Sequence, residues 1–438
     1  MDELKGWMTA ADAADRLGVK PATLYAYVSR GVLARRRSPT GQSLFDPAEI
    51  ERLGTRGRPR RQPGVAEVVI ESRITALGVD RPYYRGRDAL ELAGSVQFEA
   101  VAEFLWTGAL PVDGPDRADG QARAGEPAHA EEPARAEEPV QGGEPARARE
   151  PAGAGEPARW AAPADALAAG MAAQSGLPAG VLPLERLQVV VPALAAADPL
   201  RSNLDPAAVV EVARGLIAGM VDALPGPAAP GGIAARLWAK LAPPDADPAL
   251  VGALDAALVL VADHELAAST TAARVAASVR ADPYAVVMTG LGATSGVLHG
   301  GASLGAESLL AEARDPAHAR EIVALRLRRG ERLPGFGHMV YKGVDGRADT
   351  LLDRVRAAVG DDRMAVPDAV IAEARRRRVP AVNIDFALAT LTYTAGMAVG
   401  TGEALFGIAR TAGWIAHAME EYAHRTPLRL RAVYIGQT

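Results

Sequence analysis

The stretch LDAALVLVADHELAASTTAARVAAS, residues 254–278, decides the fold class. Alanine, leucine and valine dominate it, and neither glycine nor proline interrupts it. An apolar run of this length exceeds an ordinary strand, so it predicts one long buried helix, Leu254–Ser278. Asp263, His264 and Glu265 lie in the middle of that helix, where a buried charge is costly unless it is paired.

Most of the remaining chain repeats this pattern of apolar helices separated by Gly/Pro turns. Ala302–Ala313 and Glu403–Tyr422 are further predicted helices. Strand patterns are few, at Ala66–Ile70 and Ala432–Ile435. The sequence therefore predicts an all-α fold over residues 64–112 and 161–438.

Composition narrows the function classes. The 438 residues are 49% hydrophobic, with a net charge of −5 and no cysteine. The length and hydrophobic content predict a large core in more than one domain. The absence of cysteine excludes disulfides, thiolate metal sites and a cysteine nucleophile. The start, MDELKGWMTA, lacks a signal-peptide pattern. Residues 283–306 hold six glycines and are interpreted as packed turn and loop, not a membrane span. We expect a soluble cytoplasmic protein.

Residues 1–62 differ in composition and form a separate predicted domain. They hold 12 Lys and Arg against 7 Asp and Glu. TAADAADRLGVKPATLYAYVSRGVL, residues 9–33, predicts helix, turn and helix, with Thr9 as N-cap and Pro21 in the first turn of the second helix. The following ARRRSPTGQSLFDPAEIERL predicts a hairpin and a short helix.

This segment resembles the winged helix-turn-helix of MerR-like and excisionase-like DNA-binding domains. The resemblance implies a DNA partner, with one set of residues near a major groove and three arginines on phosphates. The set near the groove is Lys20, Thr23, Tyr25 and Tyr27, and the arginines are Arg35, Arg36 and Arg37. The alternative is an accessory or dimerisation module with a solvated basic face.

Residues 113–160 carry Glu-Pro at 126, 132, 138, 144, 150 and 156, a strict six-residue period. Proline at this spacing forbids a continuous helix, and aromatic side chains are absent until Trp160. We predict a disordered or extended surface insertion. A tolerated repeat expansion is favoured over a specific function.

Several further stretches place a polar group where burial would be costly. His299 precedes Gly300 and Gly301 in GLGATSGVLHGGASLGA. His338 and Arg347 lie in LPGFGHMVYKGVDGRA. Asp385 is the single charge of VPAVNIDFALATLTYTAGMAVG, and Arg410 is that of ALFGIARTAGWIAHAM. Each has a structural alternative: His264 as a core histidine, Asp385 as a cap, Arg410 in a core ion pair, for instance with Glu420. Together they predict an acid/base site for a polyanionic substrate.

The blocks ADHE, LHGG, GFGH-x-VYK-x-x-D-x-RA, N-x-DF and FGIARTAGWIAH resemble the signature blocks of the citrate synthase family, in the family's order. YYRGRDALELAGSVQFEAVAEFLWTG, residues 83–108, is similar to the family's N-terminal block. Apart from the Glu-Pro insertion, the resemblance runs from about Ile70 to the C-terminus. It implies a large helical domain (64–112, 161–301 and 396–438) and a small one (about 302–395), assembled as a homodimer or higher homo-oligomer.

The resemblance also implies roles for individual residues. Asp385 matches the base that deprotonates acetyl-CoA, His299 the donor to the enol oxygen, and His338 the histidine that polarises the ketone of oxaloacetate. The family's carboxylate-binding residues correspond to His264, Arg347 and Arg410, and its late arginine, which crosses the dimer interface, to Arg429. No metal or cofactor is implied, and the histidines lack metal-ligand spacing. His318, His417 and His424 receive no function.

The chain departs from the family pattern at several positions: Met339 for arginine, Gly346 for proline, Ser303 for asparagine and Leu430 for proline. None removes a proposed catalytic group, but they leave the substrate open. Citrate synthesis from acetyl-CoA is the first expectation. Its rivals are 2-methylcitrate synthesis from propionyl-CoA and a DNA-binding regulator whose synthase domain senses a metabolite.

Overall fold

The computed structural model describes residues 7–17, 21–29, 33–37, 41–47, 49–50, 70–110, 160–424 and 426–429. The Glu-Pro insertion and the predicted strand at 432–435 lie outside these residues, as does most of the strand predicted at 66–70. The chain divides into two compact units, Met1–Glu71 and Ser72–Thr438.

The first unit combines two short helices with a three-stranded antiparallel sheet in the order β1–β3–β2. Its elements are β1 (Met8–Thr9), α1 (Ala10–Leu17), α2 (Pro21–Ser29), β2 (Arg36–Arg37) and β3 (Ser43–Phe45). The predicted cap is confirmed, because Thr9 Oγ1 accepts from the backbone N–H of Asp12 at 3.3 Å. The predicted hairpin is confirmed by the pairing of β2 with β3. Leu24, Phe45 and Ile50 are buried in its core.

The second unit is helical apart from a small antiparallel sheet, β4 (Thr75–Leu77), β5 (Pro82–Tyr84) and β6 (Arg87–Asp88). The helices that follow are α3 (Ala89–Ser95), α4 (Phe98–Thr107), α5 (Ala164–Ser175), α6 (Pro183–Ala196), α7 (Pro206–Asp222), α8 (Ile233–Leu241), a 3₁₀ turn (Pro248–Leu250), α9 (Val251–Leu260), α10 (Ala268–Ser278), α11 (Pro283–Thr294), α12 (Gly301–Ala313), α13 (Pro316–Arg328), α14 (Gly346–Arg376, broken at Gly360), α15 (Ile384–Thr394) and α16 (Thr401–Ala423).

Helix α16 lies at the centre of this unit. Every residue from Thr401 to Ala418 is buried, so the helix is covered by protein on all faces, as expected of a core helix. Glycines allow its neighbours to approach closely. A Cβ on Gly290 would lie 2.5 Å from the indole of Trp414. The helix therefore places Arg410 and His417 deep inside the protein.

A second, smaller core forms between α12, α13, the second half of α14, and α15. Its buried side chains include Leu309, Leu310, Val370 and Phe386. The rest of the unit shares the large core around α16. The two cores meet along α14 and α15, each of which contributes residues to both, so these two helices connect the packed regions.

The predicted single helix Leu254–Ser278 is wrong, because the chain leaves the helix at Leu260 and re-enters one at Ala268. The backbone groups freed by this break find partners far away in the sequence. The Tyr84 hydroxyl donates to carbonyls of this segment, among them Val259 at 3.0 Å, and Arg410 Nε donates to the Val261 carbonyl at 2.8 Å. Glu265 adopts φ +54°, which an uninterrupted helix would not allow.

The interpretation of residues 283–306 as turn and loop is wrong for most of them, because Pro283–Thr294 is helix α11 and residues 301–306 begin helix α12. In α11, Gly290 packs against Trp414 instead of forming a turn, and Asp282 caps the N-terminus through a bond from the Ala285 N–H. None of the helices in the described ranges is long and apolar enough to cross a membrane.

Candidate active site

His338 lies in a loop whose glycines adopt conformations that other residues avoid, φ +78° at Gly335 and +81° at Gly337. His338 Nδ1 accepts the backbone N–H groups of Val340 at 3.0 Å and Tyr341 at 3.2 Å. Burial, reinforced by the Arg347 charge, lowers the pKa of His338 to about 4. The ring is therefore neutral at pH 7, with its proton on Nε2, and acts as a hydrogen-bond donor.

Arg347 is held by a buried carboxylate, Asp345. Its Nε and one terminal nitrogen donate to the two oxygens of Asp345, at 2.9 and 2.8 Å. Asp345 also caps α14 and accepts the backbone N–H of Ile384 at 3.1 Å, which connects this loop to the start of α15. The same guanidinium lies 3.3 Å from His338 Nε2, and since Nε2 carries the ring proton both groups are donors, which suits an anionic or carbonyl oxygen that accepts from both. Asp345 thus occupies one edge of the planar guanidinium, and the N–H groups on the opposite edge can bind an anion.

His264 lies in the loop between α9 and α10 and faces His338. Its Nε2 is 2.9 Å from the Tyr341 hydroxyl, and its ring centroid is 5.3 Å from that of His338. Burial, followed by the charges of Arg347 and Arg410, lowers the pKa of His264 well below its ordinary value. A second neutral imidazole thus lies beside the first.

His299 is oriented by two groups from distant elements. Its Nε2 lies 2.7 Å from Ser269 Oγ, and that hydroxyl accepts the Trp414 indole N–H at 3.3 Å. Since the indole only donates, this chain favours the hydroxyl donating to Nε2 and leaving the proton of His299 on Nδ1. Burial, with a contribution from Arg410, lowers the pKa of His299 to about 4.

Asp385 occupies the first turn of α15. Asn383 caps that helix and accepts the Asp385 N–H at 3.0 Å. The Ser303 hydroxyl, from α12, donates to Asp385 Oδ1 at 2.9 Å. Burial raises the pKa of Asp385 to about 6, against the lowering effect of that hydrogen bond and of Arg347. The carboxylate is ionised at pH 7 and more basic than an exposed one.

Arg410 is buried, and its nearest ring is that of Phe406, with the guanidinium carbon 4.4 Å from the centroid. One terminal nitrogen, Nη1, has no hydrogen-bond partner within the described part of the chain. Burial lowers the pKa of Arg410 to about 10. Glu420, the ion-pair partner that the sequence suggested for Arg410, instead accepts a hydrogen bond from Arg274 at 2.7 Å. A buried cation with an unused donor indicates a site for a ligand anion.

These residues form one cluster. The positive charges of Arg347 and Arg410 both lower the pKa of His264 and of Asp385, and the charge of Arg410 also lowers the pKa of His299. Arg429, by contrast, is exposed in the single chain, and its predicted role across a dimer interface stays a prediction. The cluster offers one base, neutral N–H donors and two arginines, which suits deprotonation next to a carbonyl and capture of a dicarboxylate.

Sequence reasoning missed the residues that orient this cluster. Ser269, Ser303 and Tyr341 contact the histidines and Asp385 directly, and Asp345 holds Arg347. Tyr341 and Asp345 lie inside the block GFGH-x-VYK-x-x-D-x-RA, and membership of that block was the only indication in the sequence that they belong to the site. Ser303 was identified only as a departure from the family pattern, and Ser269 carries no local signal; their partners lie 82 and 30 positions away.

The predicted DNA-contacting residues lie in the first unit. Thr23, Tyr25, Arg35, Arg36 and Arg37 are exposed, and Tyr27 is half-buried. The Arg36 guanidinium lies 5.2 Å from the centroid of the Trp7 ring. Lys20 lies outside the described residues. Their contact with DNA stays a prediction.

Comparison with known proteins identifies the class. The family "Citrate synthase, C-terminal domain" matches residues 64–431, and a helix-turn-helix domain family matches residues 7–56. The chain therefore belongs to the citrate synthase family, an enzyme family of acyltransferases. Its fold is all-α in the large unit, preceded by a helix-turn-helix domain.

Individual relatives are similar over part of their length. The chain is 33% identical to citrate synthase 2 of Bacillus subtilis over 260 residues, 57% of this chain and 64% of that protein. It is 34% identical to 2-methylcitrate synthase of Mycobacterium tuberculosis H37Rv over 192 residues, 43% of this chain and 49% of that protein. The chain thus spans about half to two thirds of these relatives.

Among solved structures, the ternary complex of Thermoplasma acidophilum citrate synthase with carboxymethyl coenzyme A and oxaloacetate has the same fold. The TM-score is 0.62 at 22% identity, and the match covers 85% of this chain and 94% of that one. At this identity the likeness establishes the fold alone.

Proposed function

We propose that the chain is a condensing enzyme that joins acetyl-CoA to oxaloacetate and, with water, gives citrate and CoA. The observation that carries this proposal is the buried Arg410, whose Nη1 has no hydrogen-bond partner among the described residues and can therefore bind an anion, in the same cluster as a basic carboxylate and neutral histidines. A dicarboxylate keto acid satisfies the two arginines together.

In the first step, Asp385 removes a proton from the carbon next to the thioester carbonyl. Its raised pKa makes it a stronger base, and its ionised form still dominates at pH 7. The proton on His299 Nδ1 is donated to the thioester oxygen as negative charge develops there. A donor fixed in advance by Ser269 stabilises the enol without reorganisation.

In the second step, the enol carbon attacks the ketone of oxaloacetate. His338 donates its Nε2 proton in a hydrogen bond to the ketone oxygen, while Arg347, Arg410 and His264 bind the two carboxylates. Water then cleaves the thioester and releases CoA. His299 regains its proton as the thioester carbonyl re-forms, and the new hydroxyl oxygen ends with the proton that Asp385 removed. Water supplies the hydroxyl of the released acid and the hydrogen of the CoA thiol. The sequence of steps transfers no electrons to an acceptor, and we propose no cofactor.

Propionyl-CoA, giving 2-methylcitrate, is the alternative substrate. One additional methylene group changes discrimination by only about 1–3 kcal/mol, so the cluster itself suits both. The test is CoA release by the purified chain with oxaloacetate and either thioester, with the product identified by mass spectrometry. Turnover with acetyl-CoA at a kcat/KM equal to or above that with propionyl-CoA supports citrate synthesis. A strong preference for propionyl-CoA reassigns the substrate.

A second candidate function is a DNA-binding, metabolite-sensing regulator, favoured by the match of residues 7–56 to a helix-turn-helix family. Arg35, Arg36 and Arg37 would contact phosphates. An electrophoretic shift of genomic DNA that disappears when residues 1–62 are deleted supports this function. No shift even at low salt, where phosphate contacts are strongest, excludes it.

We further propose that the chain works in the cytoplasm as a homodimer or higher homo-oligomer, with Arg429 completing the neighbouring subunit's site. Light scattering of the purified chain tests the assembly. Arg429→Ala should raise the KM for oxaloacetate without changing the assembly, whereas an unchanged KM would remove Arg429 from the site.

A further inference from the structure

His264 projects from a turn that is held by a buried carboxylate. Asp263 Oδ2 accepts the backbone N–H of Glu265 at 3.2 Å, which closes a tight turn around His264. Glu265 has a left-handed φ of +54°, a conformation that is strained for a residue with a side chain. This turn persists only if its surroundings hold it, so the groups that bind Asp263 determine where His264 lies.

The principal side chain on Asp263 is a histidine with a fixed tautomer. His417 Nε2 lies 3.2 Å from Asp263 Oδ2, and His417 Nδ1 lies 2.8 Å from a terminal nitrogen of Arg274. An arginine nitrogen can only donate, so Nδ1 must accept. His417 is therefore neutral, with its proton on Nε2, directed at the carboxylate.

Arg274 is itself immobilised. Its Nε donates to Glu421 at 2.7 Å, and the nitrogen facing His417 also donates to Glu420 at 2.7 Å. The side chains of Arg274, His417 and Asp263 are fully buried. A hydrogen-bonded chain thus runs from α10 through α16 to the turn that carries His264.

We propose that His417 and Arg274 are positioning residues, which hold His264 in the substrate site by fixing the Asp263 carboxylate. This rests on the proposed function to the extent that His264 binds a carboxylate of oxaloacetate. The imidazole of His417 accepts a hydrogen bond from Arg274 and donates one to Asp263, and the proposed role depends on both bonds. A glutamine can reproduce it, because its amide has one acceptor and one donor end.

The test compares His417→Gln and His417→Ala with a matched control, His318→Gln, on α13. We expect His417→Ala to raise the KM for oxaloacetate tenfold or more while kcat falls less than threefold. His417→Gln should restore KM to within threefold of the native chain. Loss of thermal stability in both variants with KM unchanged, or Gln behaving like Ala, would overturn the proposal.

A substrate-free measurement separates this proposal from the proposed function. The ring resonances of His264 in ¹⁵N-histidine-labelled protein are assigned by their absence in His264→Gln. They should move in His417→Ala and stay near their native positions in His417→Gln and His318→Gln. Unmoved resonances in His417→Ala overturn the positioning role, whether or not the chain turns over acyl-CoA.

Discussion

At the scale of single residues, burial makes Asp385 a base, and one serine limits how far its pKa rises. The Ser303 hydroxyl stabilises the ionised carboxylate at 2.9 Å. Serine stands here at a position where the family pattern has asparagine, a departure identified from the sequence. The serine hydroxyl has a single proton, which this bond uses, whereas an asparagine amide would keep a second N–H to donate elsewhere.

The pH dependence of the reaction should reveal this contact. Asp385 acts only when ionised, so kcat should fall as the pH drops through about 6. Ser303→Ala removes an interaction that lowers the pKa, so the midpoint should move to higher pH, by about one unit for a hydrogen bond to a charged group. Ser308→Ala, in the same helix, is the control. An identical midpoint in Ser303→Ala would contradict this account.

Arg410 should govern the response to oxaloacetate alone. A ligand at 100 times its Kd stabilises the native state by about 2.7 kcal/mol, which appears as a rise in Tm. Arg410→Gln removes one of the two arginines proposed to bind the carboxylates, so the rise in Tm with oxaloacetate should be much smaller than in the native chain. Arg326→Gln, which removes a surface ion pair with Glu312, should keep the full shift. A native-sized shift in Arg410→Gln would contradict the assignment of Arg410 to the ligand carboxylate.

At the scale of helices and loops, the break between α9 and α10 brings His264 into the site. It depends on close contact with α16, where a Cβ on Gly413 would lie 2.2 Å from Asp263 Oδ1 and 2.6 Å from the Ala262 carbonyl. The Gly413 N–H also donates to that carbonyl at 3.1 Å. The loop and α16 therefore form one packed unit.

Gly413→Ala should destabilise the protein for this reason. Neither backbone can yield without moving the loop, so we expect a loss of about 1–3 kcal/mol or more in the free energy of unfolding. Gly252→Ala in α9 is the matched control, because a Cβ there meets nothing within 4 Å and should stabilise by up to about 1 kcal/mol. Denaturant unfolding of both variants measures the difference. Equal stability of the two variants would show that α16 tolerates the side chain.

The same break shows how far sequence patterns predict this fold. The apolar periodicity of 254–278 predicted burial and helix, and both ends of the stretch are helical. The break between them depends on Tyr84, Arg410 and Gly413, whose proximity no local pattern contains. Helices Ala302–Ala313 and Glu403–Tyr422 agree with α12 and α16 to within two residues, and both N-terminal boundaries follow a local glycine, Gly300 and Gly400.

At the scale of the whole molecule, motif blocks far apart in the chain predicted which residues belong together. His264, His299, His338, Arg347, Asp385 and Arg410 do lie in one cluster. Their protonation states did not follow from the sequence, because these depend on backbone N–H groups, buried hydroxyls and the Asp345 carboxylate supplied by folding. The acyl specificity did not follow from these residues either, because one methylene group changes discrimination by only about 1–3 kcal/mol.

The most direct test of the central claim is CoA release from acetyl-CoA and oxaloacetate by the full chain and by Asp385→Asn, which matches the native side chain in size. The account predicts oxaloacetate-dependent turnover by the native chain and a loss of at least a hundredfold in kcat for the folded variant, since general-base catalysis contributes about 10²–10⁴-fold. Equal turnover by both chains, or none by a folded native chain with either thioester, would contradict it.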